Sequence, residues 1–175
     1  MAANDNACPH DLDAATGDGG AERALDSMPF AAQFAIWAAR AWVTALKLDQ
    51  SFATVSGDTF RRFELSAAEN ALDELFTLVA TSAARQIDIR CMKCRLVSAD
   101  ETLFQEAVAA AQADNAFGAY TALRQWLPPA AARIGFRALY RFAHLLGEKQ
   151  LRMPAVAAAH EATAAPYQMP SVALH

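Results

Sequence analysis

Between Phe30 and Leu127 the chain has no proline and only two glycines, Gly57 and Gly118. Proline breaks a helix interior by removing a backbone donor and crowding the preceding turn, and glycine weakens one through its backbone entropy. A stretch this long with so few breakers is built to fold into helices. Composition agrees: 43 residues are alanine, the best helix former, and only 11 are Val or Ile, too few for a β-sandwich or barrel. The larger apolar residues, with 10 Phe and 3 Trp among them, suffice for one core. A charged fraction of 19% and a net charge of −4 argue against whole-chain disorder and against general nucleic-acid affinity.

The expected fold is all-α, a single-domain bundle of about five main helices over residues 27–152. A flexible polar N-terminal tail (1–26) and an Ala/Pro-rich C-terminal tail (153–175) flank it, the latter with one short helix around Ala155 to Ala164. The first helix starts near Ser27 with Pro29 in its opening turn and ends around Asp49; Phe30, Phe34, Trp37 and Ala41 share a face. Residues 50–65 break at Ser56-Gly57-Asp58, with a short helical turn at Thr59 to Phe63. Ser66-Ala67-Ala68-Glu69 and Ser98-Ala99-Asp100-Glu101 both have the capping-box pattern, in which a serine oxygen accepts an early N–H and a glutamate reaches back. The helix after the first box carries Leu72, Leu75, Phe76 and Val79 inward and ends near Arg85; the helix after the second carries Leu103, Phe104, Ala107, Val108 and Ala111. Asp114-Asn115 stops that helix and starts one with Phe117, Tyr120, Leu123 and Leu127 inward. Pro128-Pro129 opens the last, which Gly147 closes in the left-handed position.

Phe30 to Leu48 has the length of a membrane span, but Gln33 and Arg40 interrupt it. A mid-span arginine costs roughly 2.5–3.5 kcal/mol to insert, and alanine offsets little of that, so a buried helix is expected and no membrane role. The opening residues have no basic n-region and no apolar h-region, which points to the cytoplasm. Three cysteines do not make an even disulfide framework.

Cys91 and Cys94 form a CxxC between two expected helices. A turn that directs both sulfurs one way can bind a tetrahedral zinc or iron, given two further donors. Cys8 and His10 would complete a Cys₃His set; His144, His160, His175 or a second subunit are other sources. The redox alternative draws on Arg90, Lys93 and Arg95, whose charge favours thiolate, and on the Ser98 helix start. The plain alternative is two inert thiols in a connection. No resident cofactor is expected beyond such a metal.

The other candidate is a surface. Arg133, Arg137, Arg141 and His144 recur at spacings of four, four and three on one stripe, opposite Ile134, Ala138, Leu139, Phe142 and Leu146. Residues 1–84 sum to −7 and residues 85–175 to +3. Such a stripe suits an acidic protein partner or phosphate, while a solvated helix face is the plain alternative. No catalytic triad, phosphate loop or zinc-protease motif occurs, and inward carboxylates lack the Glu-x-x-His pairs of dimetal bundles. Trp37, Trp42 and Trp126 could line an apolar ligand cavity, though helical spacing favours core. The leading expectation is a non-enzymatic adaptor or regulatory protein acting through protein contacts, self-association included. The alternative is a metal-binding or thiol-responsive protein using Cys91 and Cys94.

Overall fold

The computed structural model describes residues 23–154, among which lie seven α-helices and no strand. The helices are α1 (Phe30–Lys47), α2 (Phe52–Ser56), α3 (Thr59–Arg62), α4 (Ser66–Ser82), α5 (Ala99–Gln112), α6 (Ala116–Arg124) and α7 (Pro129–Glu148). The chain is an all-α bundle. The expected C-terminal short helix, Cys8, His10, His160 and His175 lie outside the described residues. Residues 23–27, which composition places in the tail, include a 3₁₀ turn and pair with the segment before α5 through an Ala24–Leu96 bridge.

The most extensive contact is between α4 and α7, and α5 packs on both α6 and α7. Helix α1 crosses α4 and α5 and is buried almost all round: seven of its eleven buried residues are alanine. Small side chains let neighbouring backbones come close, so alanine contributes here as a spacer, and the volume is filled by aromatic rings. Trp42, Phe76, Phe104, Trp126 and Phe142 form a continuous chain of ring contacts, with centroids 5.4–6.4 Å apart, linking every long helix and the end of α6. A second cluster at the other end joins Phe34 and Trp37 of α1 to Phe60 of α3, which also meets Phe52 of α2. The three tryptophans therefore divide between two clusters and do not line one ligand cavity. Gly135 marks the closest approach of α7 to α4: a Cβ there would lie 3.2 Å from Leu78 and 3.4 Å from Leu75.

Four helices end in the same way, and glycine takes no part. Asp49, Glu64, Asp114 and Gln150 occupy the left-handed region with φ of 52–61°. After each, an amide reaches back five residues: Gln50 to Ala45, Leu65 to Phe60, Asn115 to Ala110 and Leu151 to Leu146. This is the Schellman arrangement, which satisfies carbonyls the helix would leave open. It corrects the expected role of Gly147, which lies inside α7, while Gln150 makes the left-handed turn.

The same device explains a second correction. Ser98 forms the full reciprocal capping box, but Ser66 does not cap α4. Glu64 closes α3 in the left-handed region and buried Leu65 follows as the N-cap residue, so Ser66 is already the first helical residue. Glu69 instead accepts a hydrogen bond from Ser56 Oγ, at the end of the unanticipated helix α2. Two expected core residues, Phe117 and Ile134, are 81% and 64% exposed. No helix among the described residues is long and apolar enough to cross a membrane.

Left-handed φ costs an L-residue with a side chain roughly 1–2 kcal/mol, part of which glycine recovers. Gln150→Gly is expected to stabilise the fold by roughly 0.5–1 kcal/mol in urea unfolding. Gly147→Ala should stabilise it by a similar roughly 0.5–1 kcal/mol, since alanine is the better helix interior residue. The new Cβ would meet nothing nearer than Gln112 Nε2 at 3.8 Å. A loss of stability in either variant would contradict this account of the α7 terminus.

Candidate functional site

The CxxC lies in the connection between α4 and α5, residues 83–98, which contains no helix. Connections of this length without secondary structure are uncommon in compact folds, and their backbone groups need partners from elsewhere. Two adjacent carboxylates in the first turn of α5, Asp100 and Glu101, supply many of them.

Glu101 is fully buried and faces Arg40 of α1, which is 1% exposed. Arg40 Nε donates to Oε1 at 2.7 Å and its terminal nitrogen NH2 donates to Oε2 at 2.8 Å, a bidentate pair. The backbone amides of Arg90 and Ser98 donate to the same two oxygens, each at 3.0 Å. The guanidinium then donates to the Cys94 carbonyl at 2.5 Å and the Leu96 carbonyl at 2.8 Å. One buried ion pair thus holds the connection at positions 90, 94, 96 and 98.

Asp100 works alongside it. Both Arg85 terminal nitrogens donate to its carboxylate, as do the Asp88 amide at 2.8 Å and Trp126 Nε1 at 2.9 Å. Burial pushes the Asp100 carboxyl up, but the hydrogen bonds from Arg85, Asp88 and Trp126 outweigh it and hold the group below its ordinary value. Ser98 Oγ closes the network by donating to the Asp88 carbonyl at 2.5 Å.

Within this frame the CxxC makes a turn in which the Cys94 amide donates to the Cys91 carbonyl at 3.1 Å. The two sulfurs lie 2.8 Å apart. Cys94 is 2% exposed and disulfide-bonded, and Cys91 is half-buried, with Met92 and Lys93 exposed at the tip. Two of the three expected basic neighbours face carboxylates: Arg90 Nε lies 3.8 Å from Asp88, and Arg95 lies 3.3 Å from Asp26. Among the described residues no cluster of three His, Cys, Asp or Glu side chains is placed to hold a metal. Cys8 and His10, which would complete the Cys₃His set, lie outside the described residues.

The arginine stripe on α7 is divided by its neighbours. Arg133 and Arg137 are exposed, but Arg141 pairs with Glu74 of α4 at 2.7 Å. His144 packs its ring 4.1 Å from that of Tyr140 and sits 3.5 Å from Asp114. Exposed Ile134 sits between the two open arginines and borders a cavity of about 260 Å³ with Leu78, Glu74 and Arg137.

Sequence reasoning passed over Arg40, Asp100 and Glu101 as site residues. The available signal was Arg40 itself, a charge in the middle of an alanine-rich helix that had to be buried. Such a residue needs a carboxylate, since an unpaired buried charge is too costly to keep.

Removing one partner of a buried pair leaves the other uncompensated, so Arg40→Met is expected to cost roughly 3–5 kcal/mol in urea unfolding. A loss below about 1 kcal/mol, the size of a surface pair, would contradict the burial described. Asp100 titrates lower in the folded chain than unfolded, so its stabilisation is present above the unfolded carboxylate pKa, near pH 4, and is lost as pH falls through the folded value. Asp100→Asn should therefore be less stable at neutral pH and lose stability less steeply below about pH 4, read from urea midpoints against pH. Compared with known proteins, the chain matches no family model, no curated protein and no solved structure, so its function has to be read from this geometry.

Proposed function

We propose that this is a thiol-responsive helical protein in which Cys91 exchanges into the disulfide that Cys94 holds. The observation that carries the proposal is the 2.8 Å approach of the two sulfurs in a turn fixed on a buried ion pair. A disulfide bond is about 2.05 Å long and Cys94 already holds one, so the Cys91 sulfur is within a short movement of exchanging into it. In a reducing compartment such a bond is transient and suits sensing better than stapling. The Cys91 thiolate attacks the Cys94 sulfur: the Cys91–Cys94 bond forms, the bond that Cys94 held breaks, and the displaced thiolate takes up a proton, with no net oxidation.

The test uses the full wild-type chain, equilibrated across ratios of oxidised to reduced glutathione, then alkylated and cut with trypsin. The expected product is a disulfide joining the peptides Cys91–Lys93 and Cys94–Arg95, appearing and disappearing reversibly with the ratio. Cys91 alkylated at every ratio would overturn the proposal. Zinc or iron on the same sulfurs is the competing chemistry. Near-stoichiometric metal in anaerobically purified wild-type protein, with thiols protected until a chelator is added, would favour it.

A second reading is the adaptor. It is favoured by exposed Ile134 between Arg133 and Arg137, an apolar anchor in a basic setting that suits an acidic protein partner or a second copy of the chain. Reversing charge with Arg133→Glu and Arg137→Glu should abolish such binding, or the self-association, while Cys91→Ser leaves it intact. A partner indifferent to the reversal would remove this face from consideration.

A further inference from the structure

We infer that the sulfur displaced when Cys91 exchanges into the disulfide of Cys94 is that of Cys8, so that the exchange moves a covalent tie from the N-terminal segment to the cysteine turn itself. The inference rests on the thiol-responsive reading above and names the group that the exchange releases. It follows from where the described chain begins and from which thiols this sequence has.

Cys94 holds a disulfide. Cys91 is not its partner, because the 2.8 Å between the two sulfurs exceeds a bonded length of about 2.05 Å. Of the three cysteines in the sequence, Cys8 remains. Cys8 lies outside the described residues, but those residues begin beside the turn. The carbonyl of Arg23, the first of them, accepts from the Val97 amide at 3.0 Å, and the Leu25 amide donates to the Arg95 carbonyl at 2.8 Å. These bonds seat residues 23–25 antiparallel against residues 95–97, next to Cys94. Val97 and Cys94 are three residues apart, no more than about 11 Å, whereas the 15 residues from Cys8 to Arg23 can reach up to about 50 Å. A linker of this length gives an attached thiol an effective concentration on the order of millimolar at the turn. Charge favours the same pairing: residues 1–22 carry five acidic side chains and neither Lys nor Arg, while the turn carries Arg90, Lys93 and Arg95.

The exchange balances within the chain. The Cys91 thiol gives up its proton and the thiolate attacks the Cys94 sulfur, 2.8 Å away. The Cys91–Cys94 bond forms, the Cys8–Cys94 bond breaks, and the Cys8 thiolate takes up a proton. One disulfide replaces another, and no oxidant or reductant is consumed. Arg40 holds the Cys94 carbonyl and Leu96 carbonyl throughout, so the central sulfur stays in place while the incoming and outgoing ones change. The hydrogen bonds of residues 23–25 to residues 95–97 need not change; what the exchange removes is the covalent tie to the segment before them.

The experiment compares full-length wild-type protein with Cys91→Ser, each equilibrated in glutathione rich in the oxidised form, quenched with acid, alkylated with N-ethylmaleimide and cut with trypsin without reduction. Trypsin places the three cysteines on three peptides, 1–23, 91–93 and 94–95. The Cys91→Ser protein, verified as folded by its helical circular-dichroism signal, should give peptide 1–23 joined to 94–95, from a monomer on a non-reducing gel. Wild type should give that product together with 91–93 joined to 94–95, with peptide 1–23 released in the proportion that the second product forms. Blocking Cys91 with N-ethylmaleimide before equilibration should leave only the first product. Cys94 joined to glutathione or to a second chain, with no link to peptide 1–23 in either protein, would overturn the inference. If wild type then still yields the Cys91–Cys94 product, the identity of the displaced sulfur falls and the thiol-responsive reading stands. If wild type yields no Cys91–Cys94 product at any glutathione ratio, both fall.

Discussion

Arg40 and Glu101 come from the middle of one helix and the first turn of another, and each is almost wholly removed from water. An isolated charge in that position would cost far more than any single contact returns, so the two must pair. Pairing alone does not settle the cost, because desolvation of a buried ion pair can exceed its attraction. What compensates here is saturation: the carboxylate accepts four hydrogen bonds and the guanidinium makes four, half of them to backbone groups of residues 90–98. The pair is thus less a stabiliser of the helices than an anchor for the segment that has none.

That anchoring links the core to the site. The α4–α5 connection buries backbone without a ladder of its own, and the first turn of α5 receives much of it through Asp100 and Glu101. A helix N-terminus suits this role, because its dipole favours negative charge and its open amides require acceptors. Ser98 joins the two functions by capping the helix and binding the Asp88 carbonyl. The turn that brings the two sulfurs together is held from inside the bundle.

The helices were legible because their signals are local. The proline-free stretch, the Ser98 box, the Asp114-Asn115 break and the Pro129 start each depend on a few neighbouring residues, and each appears where expected. Ser66 shows the limit of such reasoning. Its four-residue pattern matches that of Ser98 at the serine and the glutamate, yet the left-handed turn at Glu64 shifts the helix start by one residue. Gly147 failed for a related reason, since four non-glycine residues take the left-handed positions. The site was legible only in part. The CxxC could be found by spacing, but the partner of Arg40 is 61 residues away in sequence, and no periodicity marks it. The arginine stripe was correctly placed on one helix; Glu74 on a neighbouring helix decided which of its charges stay open.

The central claim is that the buried pair fixes the connection as firmly as the helices it joins. Native-state hydrogen exchange at the Arg90 and Ser98 amides tests this most directly, since both donate to Glu101. Amides that open only when the whole domain unfolds exchange with the free energy of global unfolding, and those in mobile loops exchange with almost none. The structure requires both amides to be protected to the same degree as the core of α5, and to change in step with it in denaturant. Exchange at the rate of an exposed loop would mean that the connection opens independently of the bundle and that the ion pair does not hold the cysteine turn.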